Sequence, residues 1–84
     1  MIGQIVYARA GRDKGKFLVV VGQEERYLFV ADGKERPLSR PKRKNPKHLS
    51  QTGTRLKPEQ FLTDRALRRA LAIYRHTEIM EEDE

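Results

Sequence analysis

The sequence has no cysteine and only two histidines, so it has few of the side chains that form metal sites and reactive thiols. Without cysteine there are no disulfides and no thiolate ligands, which is typical of proteins from a reducing compartment such as the cytoplasm. The histidines, His48 and His76, are far apart in the sequence and lie in unlike surroundings. We therefore expect no metal site, no cofactor and a cytoplasmic location.

Long apolar runs are also missing. The longest, Phe17–Val21, has five residues, whereas a helix that spans a bilayer needs about 20. The first residues lack the basic segment and following apolar segment that mark a secretory signal peptide. We therefore expect no contact with a membrane. The chain has 84 residues, with three Tyr, three Phe and no Trp, which predicts one small domain with a thin core.

The residues that carry out catalysis are scarce as well. Nucleophilic catalysis needs a serine or cysteine beside a positioned base, and Ser39, Ser50 and both histidines fall in segments predicted to be flexible or solvated. The glycines of GRDKGK lack the spacing of a nucleotide-binding phosphate loop, and no helix follows them. We expect neither enzymatic activity nor a small-molecule substrate.

Positive charge is what the chain has in excess, and most of it is concentrated in one segment. Residues 1–56 contain thirteen Lys or Arg against five acids, whereas residues 57–84 contain five against seven. The segment Lys34–His48, called here the basic strip, carries seven of these cations and one acid. Its prolines, Pro37, Pro41 and Pro46, disfavour a helix and keep the backbone extended. An extended row of cations suits a phosphate backbone, because each neutralised phosphate releases counterions.

Short β-rich runs separated by turn residues predict a mainly β fold. The central run is rich in β-branched residues and ends at Gly22, and Asp32-Gly33 is typical of a two-residue hairpin turn. Several short strands within about 50 residues favour a small curled sheet or barrel. The predicted strands are Ile5–Tyr7, Phe17–Val21, Tyr27–Val30, a fourth around Glu35–Ser39 and a last one at His48–Gln51.

The C-terminal part, residues 57–78, is predicted to be helical and to pack on the sheet. Pro58–Gln60 can form one helical turn, and the main helix begins with Thr63 as its N-cap and with Leu62 placed for a hydrophobic staple. Apolar residues recur at the spacing of one helix face and arginines fall on the other. The apolar face contains Leu67, Ala70, Leu71, Ile73 and Tyr74, and the acidic end, residues 79–84, is predicted to be a disordered tail.

The stretch GQIVYARAGRDKGKFLVVVGQEERYLFVADG resembles the KOW motif, in which a G-x-D-K-G-K loop joins two strands and a third strand follows. Gly15 matches the glycine of the motif's loop. The continuation ADGKERPLSRPKRKNPKHL resembles more narrowly the small bacterial KOW-domain RNA-binding proteins, which are related to KOW-bearing large-subunit ribosomal proteins of eukaryotes and archaea. The resemblance covers roughly residues 3–56. It implies a small SH3-like β-barrel of the KOW type over residues 1–56, with ribosomal RNA or the ribosome as the partner.

The residues of the loop and of the basic strip also predict an RNA-binding surface by their own chemistry. Glycines at positions 11 and 15 let the backbone turn with positive φ and approach a phosphate closely, although a plain β-turn with incidental lysines explains the loop equally well when it is taken alone. Tyr7 and Tyr27 are the aromatic residues best suited to stack on a base. The predicted RNA-binding residues are Arg12, Lys14, Gly15 and Lys16 in the loop, and Lys34, Arg36, Arg40, Lys42, Arg43, Lys44, Lys47 and His48 in the strip.

A second function from a different class stays open, namely an SH3-like adaptor that binds an acidic protein. SH3-like barrels serve both uses, so the fold does not decide between them. The segment Arg40–His48 has no aromatic and no aliphatic residue other than proline, and it therefore lacks the anchors of a protein-binding hot spot. This composition favours RNA over an acidic protein as the partner. We also expect the free protein to be a monomer.

Overall fold

The computed structural model describes the backbone of residues 1–82 and the side chains of residues 1–76. It confirms a mainly β chain that ends in one long helix. The elements in chain order are β1 (Gln4–Ala8), β2 (Phe17–Gln23), β3 (Leu28–Ala31), β4 (Lys42–Lys44), a 3₁₀ turn (Pro46–His48), β5 (Leu49–Arg55), a second 3₁₀ turn (Pro58–Phe61) and α1 (Asp64–Glu82).

The five strands form one antiparallel sheet in the order β4-β3-β2-β1-β5. Within residues 1–82 the outer strands β4 and β5 do not pair with each other, so the sheet is not closed into a barrel. It is nevertheless strongly curled, because Val30 of β3 and Leu49 of β5 belong to one buried cluster although two strands separate them in the sheet. Irregularities in the β1–β5 and β2–β3 pairings bend the strands in the way that bulges do.

Both faces of the sheet are covered, and each carries one half of the core. Val6, Leu18 and Val20 point into the inner cluster, whereas Ile5 and Val19 belong to the outer cluster. This alternation explains why β2 reads as one apolar run, since a strand buried on both sides needs apolar residues at every position. Helix α1 covers the outer face with Leu67, Ala70 and Leu71, and Tyr74 packs beside them.

The predicted start of the helix is confirmed, and its end differs. Thr63 caps α1, because its Oγ1 accepts a hydrogen bond from the backbone N–H of Ala66 at 3.0 Å. Leu62 and Ile73 remain 73% and 61% exposed, so neither contributes to the buried face as predicted. The helix continues to Glu82, which makes the first four residues of the predicted tail 79–84 helical, and residues 83–84 lie outside the described part.

The fourth strand is the clearest correction to the prediction. Residues 33–40 form bends and turns, and β4 lies within the basic strip at Lys42–Lys44. The carboxylate of Asp32 accepts hydrogen bonds from the backbone N–H groups of Lys34 and Arg36, each at 2.9 Å. These local bonds stabilise a compact loop in place of a two-residue hairpin.

Two other strand ends also differ from those predicted. β2 runs through Gly22 to Gln23, because Gly22 pairs with Phe29 across the ladder and does not adopt positive φ. β5 continues past Gly53 to Arg55.

In the described part of the chain, no helix is both long enough and apolar enough to cross a membrane.

Candidate nucleic-acid interface

The loop between β1 and β2 has the backbone conformation that its glycines predict. Gly11 and Gly15 have φ values of 84° and 88°, in the region that residues with a Cβ rarely adopt. The Gly15 N–H donates to the Ala8 carbonyl, and the Ala8 N–H donates to the Lys16 carbonyl, both at 2.9 Å. The loop is therefore closed at its base by the ends of the two strands.

Asp13 lies at the centre of this loop and is buried, with 2% of its surface exposed. One carboxylate oxygen lies 3.4 Å from Nε of Arg36, and the other lies 3.4 Å from its Nη2 and 3.6 Å from Nζ of Lys44. Lys44 also donates to the carbonyl of Ala10 at 3.3 Å. These three residues, Asp13, Arg36 and Lys44, are called here the Asp13 cluster, and they join the loop to the basic strip at two points.

The cluster changes the role of two predicted RNA-binding residues. The side chain of Lys44 is 8% exposed and that of Arg36 is 25% exposed, and both face Asp13. A buried cation needs an acid partner because its desolvation is costly. Arg36 and Lys44 therefore hold the loop against the strip, and RNA contact by either of them stays a prediction. Sequence reasoning treats Asp13 only as a turn former.

Strand β4 divides the strip between two faces. Lys42 and Lys44 pair with Val30 and Leu28, whose side chains lie in the inner cluster. Arg43 lies on the opposite face because side chains alternate along a strand. Its guanidinium sits 4.6 Å from the centre of the Tyr27 ring, a cation–π contact that occupies one of the two predicted stacking aromatics.

Lys16, at the end of the loop, forms an ion pair with Glu35 at the start of the strip. The hydrogen bond between them raises the pKa of Lys16 and lowers the pKa of Glu35, so both stay charged at neutral pH. The pair is exposed and contributes little to stability. It adds a third connection between the loop and the strip.

The other end of the strip is attached to the same loop through Arg9, which sequence reasoning missed. The Arg9 guanidinium donates to the carbonyl of Lys47, and its backbone N–H donates to the carbonyl of His48 at 2.8 Å. Asn45 caps the intervening 3₁₀ turn by accepting from the Lys47 N–H at 2.9 Å. The only signal in the sequence is the positive charge of Arg9 beside the glycine loop.

The loop and the strip contact each other at Glu35 and Arg36, at Lys44, and at Lys47 and His48, and together they expose many cations. Within residues 1–76, no group of three or more His, Cys, Asp or Glu side chains is placed to hold a metal ion. His48 is exposed at the end of the strip. The exposed cations of the surface are Arg9, Arg12, Lys14, Lys34, Arg40, Lys42, Arg43 and Lys47.

The fold and this surface define the chain as a small, mainly β protein with an exposed cationic face. A scan against protein-family models finds no match, and a search of curated proteins finds none either.

Proposed function

We propose that this protein binds RNA through the Gly11–Lys16 loop and the basic strip, acting together as one surface. The observation that carries the proposal is the Asp13 cluster, in which a buried carboxylate holds Arg36 and Lys44. Because these contacts fix the loop against the strip, the exposed cations beside them are held at set spacings before any ligand binds. A preorganised set of charges loses less entropy on binding.

The chemistry of the exposed residues favours a polyanion. Lysine and arginine side chains supply most of the charge, and phosphate oxygens are their usual partners on nucleic acids. Lys42 and Arg43 face opposite sides of β4, so the surface wraps an edge rather than forming one flat row. The positive-φ glycines, Gly11 and Gly15, leave the loop backbone open to close approach by a phosphate.

The shape of the sheet supports the narrower proposal of an SH3-like, KOW-type protein. The strands follow one another as neighbours, except that β5 returns to pair with β1. The inner cluster joins β3 to β5 across the concave face, as expected for a barrel-like curl. The glycine loop lies between β1 and β2, where the KOW resemblance requires it. From this resemblance we propose ribosomal RNA or the assembling ribosome as the target.

The test removes three exposed cations from the strip without touching the Asp13 cluster. We expect the combined change Arg40→Gln, Lys42→Gln and Lys47→Gln to weaken RNA binding by about tenfold to a hundredfold at moderate salt, because fewer phosphates are neutralised. The melting temperature should stay within a few degrees of the wild type, since exposed charges contribute little to stability. Fluorescence anisotropy with a labelled ribosomal RNA fragment measures the affinity.

The matched control removes three exposed cations elsewhere, through Lys57→Gln, Arg65→Gln and Arg69→Gln. Both variants have the same net charge, so a loss specific to the first one locates the surface. Equal losses in the two variants would mean that net charge alone governs binding. Tight binding to an acidic polypeptide that survives high salt, without RNA binding, would support the adaptor function instead.

A further inference from the structure

A groove of about 270 Å³ lies between α1 and the loop that follows β3. Its apolar lining comes from Phe17 at the start of β2 and from Leu71 and Ala72 on the helix. Lys16 and Lys34 form part of its rim, so the groove adjoins the proposed RNA-binding surface. No sequence motif points to it, because its lining comes from three separate segments of the chain.

The walls of the groove are fixed by contacts between the loop and the first turns of α1. Arg68 donates to the carbonyl of Gly33 at 2.6 Å, and Asp64 accepts from the backbone N–H of Leu38 at 2.7 Å. Gly33 packs so closely on the helix that a Cβ there would lie 2.5 Å from the carbonyl oxygen of Asp64. The groove is therefore formed before a ligand arrives, as most binding sites are.

The charge of the groove is positive where a ligand would enter. Its two carboxylates are already engaged, since Glu35 pairs with Lys16 and Asp32 accepts from backbone N–H groups. The described lining carries four cations, Lys16, Lys34, Arg68 and Arg75, against these two carboxylates, so its net charge is +2. An apolar surface bordered by cations matches a ligand with a flat apolar part and a negative part.

We propose that this groove takes one unpaired nucleotide of the bound RNA, an inference that rests on the proposed function. The base would lie against Phe17 and Ala72, with the guanidinium plane of Arg75 able to stack on it, and a flanking phosphate would face Lys34. Unstacked bases are the usual targets of proteins that recognise single-stranded RNA, and arginine planes stack on them. The continuity with the loop cations favours RNA over an unrelated acidic ligand.

Ala72→Leu tests this directly, because Ala72 is exposed on the helix and leucine fills the groove without changing charge or helix propensity greatly. We expect the affinity for single-stranded oligouridine to fall by about tenfold, in line with the loss of one stacked base. The affinity for an RNA duplex of equal length should change by less than about twofold. Equal melting temperatures would exclude a folding defect.

Two further comparisons separate the groove from charge effects. Arg75→Gln should weaken single-strand binding more than Arg69→Gln, which removes the same charge from an exposed position of the same helix. An abasic oligonucleotide keeps the phosphates and lacks the bases. Ala72→Leu should leave the affinity for this probe unchanged.

Three results would overturn the inference. The first is wild-type affinity of Ala72→Leu for single-stranded RNA, and the second is an equal loss on the abasic probe. The third is binding of a polyglutamate peptide in the groove where oligouridine does not bind. That result would indicate a protein ligand. If any of these results appears while the three strip changes still weaken RNA binding, only the groove inference fails. If the wild type binds no RNA, the proposed function fails with it.

Discussion

Replacing Asp13 with alanine is expected to lower the free energy of unfolding by about 3–5 kcal/mol, because it removes the acid partner of a buried cation. Lys44 is only 7% exposed and pairs across the sheet with Leu28 of the inner cluster, so its charge would be left without compensation. A domain of this size has roughly 5 kcal/mol of stability in total, so much of the protein would be unfolded at 37 °C. Urea denaturation followed by circular dichroism measures the effect.

Two controls distinguish the buried cluster from ordinary surface charge. Glu35→Gln breaks the exposed pair with Lys16 and should leave the denaturation midpoint almost unchanged. The double variant Asp13→Leu, Lys44→Met should recover much of the loss, because well-packed apolar residues can replace a buried ion pair. An Asp13→Ala variant with the wild-type midpoint would show that the cluster does not hold the loop to the strip.

Gly33→Ala is expected to lower the free energy of unfolding by about 3 kcal/mol, the second largest effect after Asp13→Ala. Gly33 has a φ of 79°, which is unfavourable for alanine, and the new Cβ would lie 2.5 Å from the Asp64 carbonyl oxygen and 3.2 Å from Cγ of Arg68. The loop and the helix must move apart to accept it, which would also widen the groove. Thermal unfolding measures the loss of stability.

Glycines at two other positions provide the controls for this prediction. Gly53 lies in β5 with an ordinary φ, and no atom lies within 4 Å of the place that an added Cβ would occupy, so Gly53→Ala should have little effect. Gly15 has a φ of 88°, but the nearest neighbour of an added Cβ would be the Tyr7 hydroxyl at 4.0 Å. Gly15→Ala should therefore lower the free energy of unfolding only by the strain of a positive φ at alanine, without a steric clash. Equal effects of Gly33→Ala and Gly15→Ala would mean that the close approach to α1 is absent.

Features that depend on neighbouring residues in the chain can be predicted from the sequence. The apolar runs at β1, β2 and β3 are recognisable because each strand carries its own β-branched residues. Thr63 is identifiable as the helix cap, and the loop glycines as positions of positive φ, since both signals are local. The mainly β class and the C-terminal helix follow from these elements together.

Features that depend on contacts between distant segments cannot be predicted in this way. β4 has the sequence Lys-Arg-Lys, which carries no strand signal, and it forms because β3 offers it a free edge. Asp13 and Lys44 are far apart in the sequence, and nothing in a count of charges shows that one neutralises the other. For the same reason the sequence does not separate the exposed cations of the strip from the buried one.

The most direct test of RNA binding by this surface is the dependence of affinity on salt. The surface exposes seven of the predicted Lys and Arg residues outside the Asp13 cluster and the Lys16 pair. If about five of them contact phosphates, a plot of log K against log salt should have a slope of roughly −4 for the wild type. The variant Arg40→Gln, Lys42→Gln, Lys47→Gln should have a slope shallower by about two. A wild-type slope near zero, or a slope that the three changes leave unaltered, would contradict the proposed function.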